Sequence, residues 1–223
     1  TRQMGSSLKD RVRDIHTAFA DQDNKAVFTS IGGEDQIKLI KLLDPKVFTD
    51  NPKPFFGYSG NTHLHNFLWG LGIPSYYGSA ILTQLAQQGQ MHDLTIEFLN
   101  HALFDKGEYE LKSSTEYNDI GLDWADKSLL TKPRTMEPND GLYWDGADDG
   151  EGILWGGCVE SLVAQMTVGK YLPSDNDLES TILFIETAED IPDSWVIQYL
   201  LIGFGERGWF DKFQAVMVGR PKA

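Results

Sequence analysis

A chain of 223 residues, 41% hydrophobic and 23% charged, is long enough to bury one large core or two small ones. A formal net charge of −14, with no lysine or arginine run to offset it, argues against a nucleic-acid backbone or an anionic membrane as partner. The single cysteine, Cys158, excludes an intrachain disulfide framework and a multi-thiolate metal site, and no apolar run is long enough to cross a bilayer.

The first twenty residues lack the central apolar stretch of a secretory signal, and Thr1-Arg2-Gln3-Met4-Gly5 is no natural initiator, so an earlier segment is expected to be missing. Ser7 is placed to cap a helix over about residues 8–20, with Val12, Ile15, Ala18 and Phe19 on its buried stripe and Asp10 in its first turn. Residues 26–31 form a short β-prone run that Gly32-Gly33 ends. A second helix follows, with Ile37, Ile40 and Leu43 facing inward. Residues 54–58 read as a strand, 61–70 as a helix, and 75–77 as a short extended piece. This alternation predicts a parallel sheet with helices on both faces.

Residues 91–103 have a helical pattern. Residues 106–149 are rich in charge, glycine and proline, with scattered aromatics, and so long an irregular stretch is either a linker or a functional loop. A strand is predicted over 153–155, ended by Gly156-Gly157. A helix over 160–168, an apolar strand over 181–185, a helix over 194–204 and a strand over 215–218 complete the chain.

The most informative stretch is Phe55-Phe56-Gly57-Tyr58-Ser59-Gly60-Asn61-Thr62. An apolar strand delivers a serine to a turn between glycines, and a helix begins at once, which is the logic of a nucleophile elbow with its glycines at unfamiliar offsets. Taken alone, Ser59 reads first as a helix N-cap, which is what serine before a helix commonly does. Gly32-Gly33 ends a neighbouring strand, so its N–H groups could join that of Gly60 in holding an oxyanion, or it is simply a tight turn. Glu186 ends an apolar strand, where a carboxylate can orient a histidine or merely be solvated. His63 and His65 follow Ser59 by four and six residues on the same helix. They fall on different faces, which argues against a joint metal site. His16, His92 and His101 read as residues of solvated helix surfaces, and Cys158 as a buried structural thiol.

In order and spacing, these segments resemble the LD-carboxypeptidase family of serine peptidases, and more closely its microcin C immunity branch. The resemblance runs through residues 8–21, 26–33, 52–59, 152–158 and 182–186, and so covers nearly the whole chain. It implies an α/β fold with a flavodoxin-like parallel-sheet N-terminal domain and a smaller α/β C-terminal domain, the site lying between them. On this basis residues 1–88 are expected to carry the nucleophile, 89–150 to be linker and active-site loop, and 151–223 to be the C-terminal domain, incomplete here. It implies Ser59 as nucleophile, Glu186 as triad acid, Gly33 and Gly60 at the oxyanion hole, and Trp124 or Trp144 as a ligand platform. The same aromatics could instead fasten the long loop to the core. No metal or cofactor is implied. The partner would be a small peptide or peptidyl-nucleotide substrate, in the cytoplasm, with a homodimer as a candidate assembly. Three departures stand out: Gly60 replaces the family's usual aspartate, the first strand is absent, and the triad histidine belongs to a segment downstream of residue 223. A homologue that binds ligand without turnover is the alternative.

Overall fold

The computed structural model describes residues 7–123 and 125–222. Helix α1 (Leu8–Ala20) begins where its cap predicts: the Ser7 side chain accepts the N–H of Asp10, and Phe19 is fully buried on the inner face. Strand β1 (Val27–Phe28), helices α2 (Ile37–Ile40) and α3 (Pro45–Asp50), strand β2 (Phe55–Gly57), helix α4 (Thr62–Gly70) and strand β3 (Tyr76–Tyr77) follow. Strands β1 and β3 flank β2, both parallel to it, with Val27 opposite Phe55 and Phe56 opposite Tyr76. Aromatic rings stack across this sheet, Phe28 on Phe56 at 4.4 Å and Phe56 on Tyr76 at 4.7 Å. Beneath it, Phe19, Phe48, Phe55 and Leu68 form an apolar core, each such side chain stabilising the fold by about 1.5–3 kcal/mol.

The middle segment holds α5 (Asp93–Phe104) and a small antiparallel pair, β4 (Glu116–Tyr117) with β5 (Glu137–Pro138). The stretch expected to be a linker or functional loop is pinned at several points. Arg134 donates to Asn118 and Gln88, and Arg220 pairs with Asp119 while lying 3.6 Å over the Tyr117 ring.

The last third runs β6 (Ile153–Cys158), α6 (Val159–Val168), α7 (Asp175–Leu178), β7 (Thr181–Glu186), α8 (Ser194–Glu206) and β8 (Ala215–Val218). The sheet order is β6-β7-β8, all parallel. Gly156-Gly157, expected to end a strand, instead lies within β6, which continues to Cys158. The reason is close approach from both sides. At Gly156 a side chain would overlap the Phe184 carbonyl of β7, and at Gly157 a β-carbon would sit 2.5 Å from Thr62 Oγ1 of α4. Their φ values, +145° and +128°, also disfavour any side chain.

Helix α4 is therefore shared ground between the two halves. From α4, the Asn66 amide donates to Gln165 of α6 at 2.8 Å, and the Cys158 N–H of β6 donates to Thr62 Oγ1 at 3.0 Å.

Candidate active site

Strand β2 ends at Gly57, and the chain turns at Ser59 with φ of +59°, left-handed backbone that a serine adopts only at a cost of order 1–3 kcal/mol. Local bonds hold it there. The Ser59 N–H donates to Tyr77 Oη at 3.0 Å, and Thr62 Oγ1 donates to the Ser59 carbonyl at 2.6 Å. The Asn61 amide, at the end of a single 3-10 turn (Ser59–Asn61), reaches the Tyr58 carbonyl and Thr29 Oγ1, while its oxygen accepts from Gln36.

The Gly32-Gly33 turn after β1 lies directly beside this elbow: a β-carbon on Gly32 would sit 2.9 Å from Ser59 Oγ. Gly33, Ser59, Gly60 and His63 all line a cleft of about 560 Å3 between the halves, whose far wall includes Cys158, Glu160 and residues 188–190. Of the N–H groups opening the turn, that of Ser59 is taken by Tyr77 and that of Asn61 by the Tyr58 carbonyl, which leaves the Gly60 N–H to meet an incoming oxygen.

Glu186 ends β7, in register with Cys158 of β6. Its carboxylate accepts from Tyr77 Oη at 2.6 Å, so one hydroxyl separates it from the backbone of Ser59. Burial pushes Glu186 above the usual carboxylate range, and the Tyr77 and Cys158 hydrogen bonds partly oppose this. Burial chiefly, with Glu186 and Glu160 close by, pushes the Cys158 thiol up.

Residues 1–78 match the LD-carboxypeptidase N-terminal domain, and residues 151–223 match the LD-carboxypeptidase C-terminal domain. The chain belongs to the LD-carboxypeptidase family. It is 30% identical to YocD of Bacillus subtilis over 219 residues, 96% of this chain and 63% of that protein. It is 24% identical to the microcin C7 self-immunity protein MccF of Escherichia coli, over 96% of this chain and 61% of MccF. The chain thus spans less than two thirds of the length of either relative. An MccF-like protein from Streptococcus pneumoniae, solved in complex with AMP, superposes with a TM-score of 0.87 at 26% identity, covering 96% of this chain and 67% of that one. The mixed α/β fold with parallel sheets in two halves is the family's.

Within this family frame the histidines divide clearly. His65 is a satisfied core residue: Nε2 donates to the Gly57 carbonyl at 2.9 Å, which leaves Nδ1 to accept from Ser75 Oγ at 2.7 Å. His63 is 1% exposed on the cleft wall with Nδ1 unpartnered, and no hydrogen bond joins it to Ser59 among the described residues. Burial lowers both imidazoles to about 4, so each is neutral at pH 7. His16 is half-buried and accepts the Asp44 N–H, while the His101 ring lies tilted against Tyr109, 4.3 Å between centroids. Among the described residues no group of three or more His, Cys, Asp or Glu is placed to hold a metal.

Trp144 is 81% exposed and is not among the residues lining the cleft, and Trp124 lies outside the described residues. Sequence reasoning missed Tyr77, Thr62 and Asn61. A usable signal existed for Tyr77, because it ends the short extended piece that pairs beside the nucleophile strand and so reaches the same sheet edge.

Proposed function

We propose that the complete protein is a serine-type amide hydrolase with Ser59 as nucleophile. The observation that carries this is a serine held at positive φ on the wall of an interdomain cleft, one hydroxyl away from a buried carboxylate. Ser59 Oγ attacks an amide carbonyl, and a histidine from outside residues 1–223, oriented by Glu186, takes its proton and passes it to the leaving amine. The N–H groups of Gly60 and Gly33 receive the oxyanion. The Ser59 N–H does not, since Tyr77 already occupies it. Water then attacks the acyl-enzyme and frees the acid.

Two substrate classes follow from the family resemblance: murein tetrapeptides losing a terminal D-amino acid, and peptidyl-nucleotides cut at an amide. Similarity to MccF and to an AMP-bound structure supports the second. The cleft's charge supports the first, or any substrate with an ammonium near the scissile bond: its lining holds Glu34, Glu160, Glu189 and Asp190 and neither lysine nor arginine. A cytoplasmic location and a homodimer belong to the same proposal.

The rival reading is a ligand-binding homologue without turnover, favoured by Gly60 where the family usually carries aspartate. Incubating the full-length protein with a murein tetrapeptide and, separately, an aminoacyl sulfamoyl nucleoside, with products identified by mass, decides between them. Release of the terminal residue from either supports the hydrolase. Binding of either compound with both left intact selects the rival.

A further inference from the structure

Both backbone polar groups of Ser59, its N–H and its carbonyl, are tied to the C-terminal sheet, each through one hydroxyl. The N–H runs through Tyr77 Oη to Glu186, at 3.0 and 2.6 Å. The carbonyl runs through Thr62 Oγ1 to the Cys158 N–H, at 2.6 and 3.0 Å. Cys158 and Glu186 are themselves register partners on adjacent strands. Each hydroxyl has one proton, which fixes the directions: Tyr77 spends its proton on Glu186 and accepts from Ser59, whereas Thr62 spends its proton on Ser59 and accepts from Cys158. The 3.2 Å contact between the two hydroxyls is then proximity, with no proton left to bind it.

We propose that Tyr77 and Thr62 are positioning residues that lock the strained Ser59 backbone to the C-terminal sheet, so that the elbow and Glu186 are set by one rigid connection. This rests on the serine hydrolase reading and extends it. Neither residue needs to touch substrate. Tyr77 is suited to the task because its ring is clamped, 5.0 Å edge-on to Phe184 and 5.2 Å from His65, so its hydroxyl has little freedom to follow either partner. A flexible side chain could satisfy the same bonds without transmitting position. Glu186 gains a fixed geometry, and Ser59 keeps a conformation that its own φ preference opposes.

Tyr77→Phe keeps the ring and removes the tie. In the full-length enzyme, kcat is expected to fall roughly ten- to a hundredfold with KM held within about threefold. The acid limb of the pH–rate profile should also move to higher pH, because the hydrogen bond from Tyr77 favours the ionised form of Glu186 and its loss makes that carboxylate easier to protonate. The groups facing Glu186 are Tyr77 of β3, Cys158 of β6, Glu160 of α6 and Glu189 beyond β7, and only the first is altered. Hydrogen exchange at the Ser59 amide should quicken in the same variant. Ser59→Ala is run alongside. If Ser59→Ala turns over at the parent rate, the hydrolase reading fails. If Ser59→Ala is dead while folded Tyr77→Phe matches the parent in kcat and pH profile, the positioning role is overturned. Should Tyr77→Phe lose its near-UV dichroism, Thr62→Val is read by the same kcat and KM split, and an unchanged kcat overturns the proposal.

Discussion

The α-carbon of Gly60 rests against the carbonyl of Gly33, so closely that a β-carbon at residue 60 would overlap that oxygen. The contact fastens the turn after β1 to the turn after β2 and leaves both lining one cleft. It also explains how glycine can stand where aspartate is usual in the family: with the Gly33 turn in this position there is no room for a side chain. Gly60→Ala must push the two turns apart. It is expected to cost about 1–3 kcal/mol of stability, read as a lower urea midpoint, and to slow turnover more than it weakens binding.

Protonating the buried histidines opposes folding. His65 has a folded value of about 4 against an ordinary 6.5, so its neutral form is the one the fold accommodates. A group lowered in this way contributes fully above pH 6.5, and the contribution drains away as pH falls toward 4. The loss from His65 is about 3 kcal/mol. Urea midpoints should therefore decline between pH 6.5 and 4, and less steeply in His65→Gln. An unchanged slope in that variant would locate the acid sensitivity elsewhere.

Much of this was legible in the sequence wherever the signal is local. Ser7 marks the start of α1, the apolar run over 181–185 marks β7, and the glycines around Ser59 mark a sharp bend. In the sequence Gly156-Gly157 reads as punctuation because glycine usually ends a strand. Here it admits β7 and α4, a cause that lies in other segments. The link from Tyr77 to Glu186 spans 109 residues and leaves no local mark at all. Residues 106–149 read only as an irregular linker or loop because their anchors, Arg134 on Gln88 and Arg220 on Asp119, are single side chains without period.

Asn66 and Gln165 form a buried bond across the two halves. Gln165→Leu strands the Asn66 amide and should cost about 1–3 kcal/mol. Adding Asn66→Leu should cost less than the two single changes summed, which a double-mutant cycle on urea unfolding measures.

Cys158 is 2% exposed, and its thiol is pushed up by burial and two nearby carboxylates. The folded protein should resist iodoacetamide at pH 8 over hours, and the urea-unfolded protein should alkylate within minutes. Rapid alkylation of the folded form would mean the thiol is more accessible than its packing implies.

The hydroxyl at the bend after β2 is the proposed nucleophile, and its removal should abolish turnover. Turnover of the full-length protein and of Ser59→Ala should be compared on whichever amide substrate proves to be cleaved. Loss of at least about a thousandfold in kcat/KM, with the fold and substrate binding intact, is the predicted result. Turnover by Ser59→Ala at the parent rate would contradict it.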